Sequence, residues 1–369
     1  MRKVGLLTRY RERSTMQTQR LDGLDIAKGI AILLVVYGHV MRGLEVAGLV
    51  SFDGIWGYVD YLVYTVHMPV FFVVSGFLYE GGRERLQAEA YLRAGTGAGT
   101  GAGRSFWQPK LVTIAWPYVL WSTVHLVAQA TMSGSGAVNH DVSLSRLATI
   151  GWDPVSPFWF LYALFMAFAA SFLLQGFSAR LVALSAFVLM FVVRYKEVPP
   201  VFGDLAYGLV YFSLGRLVFA ERLAGALRSV VTLGLATAGF VITATVAYRF
   251  DLDVRLATIG TLCGLVAFFM LSTILATSPL RRPLVILGRC TMGIFVMHIL
   301  VIATFRVVGL KMLHLDLVTL AIGCITAAVL LPLIAQVVAN RIGLARFVGL
   351  QTKLDDVLWR RRGQAIPGE

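Results

Sequence analysis

Residues 21–41, LDGLDIAKGIAILLVVYGHVM, are long and apolar enough to cross a bilayer, yet they hold Asp25, Lys28 and His39. A hydrocarbon core of about 30 Å needs about 20 apolar helical residues. Charged side chains inside such a helix are costly and by default mark a functional site. Lys28 and His39 are eleven residues apart. At about 100° and 1.5 Å per residue they return to nearly the same face, roughly 16 Å apart along the axis. Asp25 falls on that side too, about 60° from Lys28. Singly, His39 reads as an interfacial side chain bonded to a carbonyl, and Lys28 as a cation snorkelling to the headgroups. Aligned on one face, the three favour a site.

The rest of the chain has the same character. Of its 369 residues 57% are hydrophobic and 14% charged, with a mean hydropathy of +0.75. Soluble domains have about 45–50% apolar and 25% charged residues. The composition predicts an all-α, polytopic membrane protein. Ten apolar spans can be drawn: 22–41, 57–79, 110–131, 157–175, 178–194, 201–219, 229–248, 257–276, 285–306 and 316–338. With the N-terminus in the cytoplasm, cytoplasmic segments carry roughly three times as many Lys and Arg as outer ones. The expected topology is therefore N-in and C-in, and it accounts for the net charge of +13 without nucleic acid as a partner.

The expected organisation is a basic cytoplasmic tail at 1–20, a ten-helix domain at 21–340 and a basic cytoplasmic tail at 341–369. The N-terminal apolar patch is too short for a signal-peptide core, and Met16 is an alternative start. In the last segment Leu344, Phe347, Val348, Leu350 and Leu354 among Arg and Lys read as an interfacial helix. The stretch GTGAGTGAGRS within 80–108 is not a phosphate loop: Ala98 stands at the first glycine and Arg104 at the lysine, and no strand precedes it. It reads as a flexible linker. Cys263, Cys290 and Cys324 are far apart and lie in or beside apolar segments, so they read as core residues. No metal site is expected.

Depth gives the first span a direction. His39 lies about 25 Å above its cytoplasmic entry and Lys28 only about 9 Å. Histidine is the usual general base near neutral pH. The second span has His67-Met68-Pro69 at mid-depth, then Ser75-Gly76. Its proline frees a carbonyl one turn back, which a neighbour or a polar cavity must satisfy. The thin Ser75-Gly76 patch permits close approach. Trp116-Pro117-Tyr118, Trp159 and the buried His298 complete the polar and aromatic points.

This succession resembles the acyltransferase-3 family of bacterial membrane O-acyltransferases. The resemblance rests on Lys28 and, ten residues later, Gly38-His39; on Met68 to Phe77 (MPVFFVVSGF); on Pro117-Tyr118; on Trp159 to Leu164 (WFLYAL); and on Leu287 to His298 (LGRCTMGIFVMH). It covers about residues 20–338. Lys28 rather than Arg, in D-x-x-K-G, is similar to the fucose-4-O-acetylase-like branch. Where many members have Arg-x-x-Arg after the second span, this chain has Arg83-Glu84-Arg85. No hydrolase-like domain is expected after the tenth span.

The resemblance implies transfer of an acetyl or other short acyl group from cytosolic acyl-CoA to a hydroxyl, usually on a surface glycan, at a bacterial cytoplasmic membrane. Acetyl-CoA is then a co-substrate, and no permanently bound cofactor is implied. His39 is the expected general base, Lys28 holds the donor and Asp25 keeps Lys28 charged. Direct transfer and a covalent acyl-histidine both remain open. His67, Ser75, Tyr118, Trp159 and His298 are expected to line the cavity or position the acceptor. Arg83, Arg85, Arg104, Lys110, Arg281 and Arg282 are candidates for the CoA phosphates, since Arg binds phosphate in charge-assisted bidentate pairs. A glycan or lipid exporter is the main alternative, because many spans with buried ionisable residues fit a transporter equally well. A non-catalytic scaffold is the third. The acceptor, the acyl chain and the oligomeric state are not specified by the sequence.

Overall fold

The computed structural model describes the backbone of residues 2–94, 107–132, 143–195, 198–220 and 229–352, with side chains from Asp22 in the first helix, to Glu84 in the second and to Val193 in the fifth. Regular structure among these residues is helical. The helices are α1 (Arg2–Val46), α2 (Ile55–Ala94), α3 (Trp116–Met132), α4 (Trp159–Leu173), α5 (Ala179–Tyr195), α6 (Pro200–Ala220), α7 (Val230–Arg249), α8 (Thr258–Leu275), α9 (Arg281–Arg289), α10 (Thr291–Lys311) and α11 (Leu317–Arg341). A π-helical turn, Leu111–Ala115, leads into α3, and a 3-10 turn, Leu144–Ala148, precedes α4. Ser229 and Asp316 cap α7 and α11 by accepting from backbone N–H groups.

Among the described residues, eight helices are long and apolar enough to cross a membrane. Two more, α4 with 15 residues and α5 with 17, are apolar but shorter. Each of the ten expected segments thus contains a helix, but one was drawn wrongly. The span 285–306 is broken at Cys290 into α9 and α10. The reason lies in α9, RRPLVILGR, which is strongly amphipathic and only 9 residues long. It lies along α1 rather than continuing α10. The expected interfacial helix is also absent from residues 342–352, which form turns. They fold back on the bundle: Trp116 and Trp121 donate to the Phe347 and Val348 carbonyls at 2.6 and 3.1 Å, and Gln336 to that of Leu350 at 3.1 Å. Leu354 lies outside the described residues.

The centre of the bundle is α1, which packs against α2, α8, α9, α10 and α11, while α2 packs along α6. Both close pairings depend on glycine. A methyl group on Gly29 would overlap the Leu284 carbonyl oxygen, and one on Gly288 that of Asp25, so α1 and α9 meet backbone to backbone. Gly76 and Gly215 do the same for α2 and α6, against Phe212 and Val73. Such small-residue contacts are how helices associate in lipid, where tails offer no hydrophobic drive. Glu80 and Arg216 lock the pair, with Nε 2.9 Å from Oε2 and both residues at most 3% exposed.

Pro69 in α2 frees the carbonyl of Thr65, four residues back. Thr261 of α8 donates its hydroxyl to that oxygen at 3.2 Å. The compensation that membrane burial demands comes from the neighbouring helix.

Replacing an open helical glycine by alanine stabilises by about 0.5–1 kcal/mol. Gly23 has open space, and Gly23→Ala is expected to follow that rule. Gly76→Ala is expected to reverse the sign, destabilising by about 1–3 kcal/mol through overpacking. Thermal unfolding of the detergent-solubilised protein, read by size-exclusion fluorescence, compares the two.

Candidate active site

At one end of α1 the side chains form a charge cluster. Lys28 Nζ lies 2.7 Å from Asp25 Oδ1, and Arg289 Nε of α9 lies 3.1 Å from Asp25 Oδ2. All three are partly buried, with side chains 17–24% exposed. One turn earlier, Arg281 Nε donates to Asp22 at 2.8 Å. One carboxylate therefore serves both Lys28 and Arg289. The expected Asp25–Lys28 pair is present; Arg289, read in the sequence only as a topology charge, is its third member.

At the other end sits a group of aromatic and imidazole rings. His39 is half-buried, whereas His67, His298 and His125 are at most 2% exposed. The ring centroids of His39 and His298 are 5.0 Å apart. Tyr64 stands edge-on to both His39, at 6.5 Å, and His67, at 4.6 Å. Gly38 makes this possible, because a Cβ there would press on the Tyr64 ring at 2.8 Å. The Arg42 guanidinium covers Tyr64, 3.3 Å from its centroid, and pairs with Asp60 at 2.8 Å.

The hydrogen bonds assign tautomers. His67 Nδ1 lies 2.6 Å from the Val63 carbonyl oxygen, so this nitrogen is the donor. His298 Nδ1 lies 2.7 and 3.1 Å from the Phe295 and Ile294 oxygens and is likewise committed. Its Nε2 is buried with no hydrogen-bond partner among the described residues, as is the Tyr64 hydroxyl. His125, absent from the sequence candidates, uses Nε2 toward the Val296 oxygen at 2.8 Å, and its Nδ1 is likewise unpartnered. A buried polar atom without a partner costs free energy.

The other expected residues are dispersed. Ser75 lies eight residues beyond His67 on α2, about 12 Å along the axis. Tyr118 gives its hydroxyl to the Ile150 carbonyl and packs 5.8 Å from Tyr162, so it anchors the loop before α4. Trp159 opens α4 beneath Arg255, at 5.3 Å. Arg83 Nε bonds Glu80 at 2.9 Å, and Lys110 Nζ lies 4.0 Å over the Phe168 ring. Arg281 and Arg282 are exposed. The Arg85 side chain and Arg104 lie outside the described residues. Among the described residues no three His, Cys, Asp or Glu side chains are grouped to hold a metal ion.

A family model described as "Acyltransferase domain", that of the acyltransferase-3 family, matches residues 21–337. It spans both α1 clusters and ends within α11. The chain belongs to the acyltransferase-3 family. Its helices are those of a multi-pass membrane protein. The chain is also 27% identical over 201 residues to a nodulation protein, NolL, of Mesorhizobium japonicum. That match covers 53% of this chain and 47% of the NolL protein, so it extends over about half of either one. No solved structure matches.

Asp25→Asn is expected to leave two cations facing a neutral amide and to lower stability by about 1.5–3 kcal/mol, the value of a charge-assisted hydrogen bond. Lys28→Arg is expected to keep the pair and the melting temperature. Thermal unfolding in detergent measures both.

Proposed function

We propose that the acyltransferase moves an acetyl or other short acyl group from cytosolic acyl-CoA to a hydroxyl of an exported or surface glycan. The membrane is the bacterial cytoplasmic membrane, with both termini of the chain inside. One observation carries this reading: the same helix presents a cation-rich cluster at one end and, about 16 Å further along, the most accessible histidine of the ring cluster.

The Lys28 end suits the donor. Lys28 and Arg289 share one carboxylate, and these two cations suit an anionic donor. Arg83, Arg281 and Arg282, with Arg85 and Arg104, supply guanidinium groups for the CoA phosphates, and Lys110 a point charge. The His39 end suits the acceptor. A ring nitrogen of His39 takes the proton of the acceptor hydroxyl while that oxygen attacks the thioester carbonyl carbon. The carbon–sulfur bond then breaks, and the CoA sulfur leaves with the proton from His39. The products are an ester on the acceptor and free CoA. His298, its Nδ1 held by backbone carbonyls, presents the unprotonated Nε2 beside His39 and positions that ring. His67 does the same for Tyr64.

Losing one general base is expected to lower transfer by about 10²–10⁴-fold. Purified His39→Ala, given radiolabelled acetyl-CoA and the glycan acceptor, should show that loss while folding normally. Lys28→Ala should raise the KM for acetyl-CoA more than Lys28→Arg does. Wild-type transfer by His39→Ala would exclude the base assignment. Movement of glycan across the membrane without consumption of acetyl-CoA would favour an exporter instead.

A further inference from the structure

Asp204, in the first turn of α6, is a carboxylate only 6% exposed. It meets Arg255 Nη1 at 2.6 Å. Arg255 belongs to the loop joining α7 to α8, and its backbone N–H donates to Asp253 at 2.9 Å. Its guanidinium carbon stands 5.3 Å from the ring centroid of Trp159 and 5.8 Å from that of Tyr207. Its side chain is 41% exposed, and Trp159 is half-buried. The cluster therefore has a packed side and an open side.

It lies at the His39 end of the bundle. The loop is tied to α2 by Tyr61, whose hydroxyl donates to the Leu252 carbonyl at 3.0 Å. Tyr61 is about one turn from Tyr64, which faces His39. From Trp159 a layer of rings leads inward. The next residue, Phe160, lies 5.5 Å from Phe295, and Phe295 lies 6.0 Å from His298.

Pinning a loop does not account for this arrangement. An ion pair with one partner 41% exposed gains little net stability, because solvent screens the attraction. What the cluster does offer is a flat aromatic face, a carboxylate that only accepts hydrogen bonds and a planar fork that only donates them. A second anion would be repelled by Asp204, and an apolar guest would leave the pair desolvated. A neutral ring with one apolar face and adjacent hydroxyls fits all three groups.

We propose that Trp159, Tyr207, Asp204 and Arg255 form an acceptor subsite that holds a neutral sugar ring at the same end of the bundle as His39. This assignment rests on the acyl-transfer reading above. The test uses the full-length protein in nanodiscs, radiolabelled acetyl-CoA, and the de-O-acylated envelope glycan fraction of a strain lacking the gene. Trp159→Ala and Asp204→Asn are expected to raise the acceptor KM about 10–100-fold, the effect of removing a charged or stacked partner. The KM for acetyl-CoA and glycan-free acetyl-CoA hydrolysis should stay at wild-type values, and Trp159→Phe should recover part of the loss. An unchanged acceptor KM, or parallel loss of hydrolysis and transfer, would overturn the subsite. Binding of the fluorescently labelled glycan fraction separates the two claims. If the wild type binds it, Trp159→Ala does not, and neither transfers label, the subsite stands and the acyl-transfer reading falls.

Discussion

The Asp25 carboxylate holds two cations, Lys28 on its own helix and Arg289 on α9. Much of the bundle's arrangement follows from that contact. Charges within a membrane-spanning helix persist when partners compensate them, and Asp25 can reach Arg289 only because α9 lies against α1 without intervening side chains. Gly29 and Gly288 provide that approach. Lys28 is thereby held at a fixed depth, and α1, surrounded by five other helices, sets His39 at its other end. The glycine contact, the shared carboxylate and the placement of the histidine belong to one mechanical unit.

The two ends of that unit differ in kind. The Lys28 end is built from ion pairs: Asp22 with Arg281, Asp25 with Lys28 and Arg289, and Glu80 with Arg83 and Arg216. The His39 end adds rings to its ion pairs, with His39, Tyr64, His67 and His298 packed edge to face or tilted under the Arg42–Asp60 pair. Fixed cations attract an anionic donor, whereas imidazoles in a dry setting handle a proton without a permanent charge. One helix thus carries the two groups on which the proposed transfer rests, separated by depth.

Much of this was legible in the chain. Charged residues on an apolar helix are conspicuous, and their spacing alone aligns Asp25, Lys28 and His39. The role of Pro69 was legible as a freed carbonyl, but its partner, Thr261, was not, because that contact joins residues 196 positions apart. Arg289 was hidden for a different reason: in a membrane protein any arginine near a span end reads first as a topology charge. The break at Cys290 was masked because LVILGRCTMGIF is apolar apart from Arg289 and Thr291, and hydropathy does not register where a helix turns aside. His125 and Tyr64 lacked a local signal; their importance lies in unpartnered atoms, which only packing exposes. Tyr118 shows the converse, a motif residue whose hydroxyl is committed to a loop carbonyl.

The central claim is that the Lys28 end takes the donor from one compartment and the His39 end delivers the acyl group in the other. Proteoliposomes containing the protein in a single orientation test it, with radiolabelled acetyl-CoA supplied on one side only and the glycan acceptor on the opposite side only. The account predicts labelled glycan when acetyl-CoA faces the Lys28 end and the acceptor faces the His39 end, and none when the two are exchanged. Transfer occurring only when donor and acceptor share one side would contradict it.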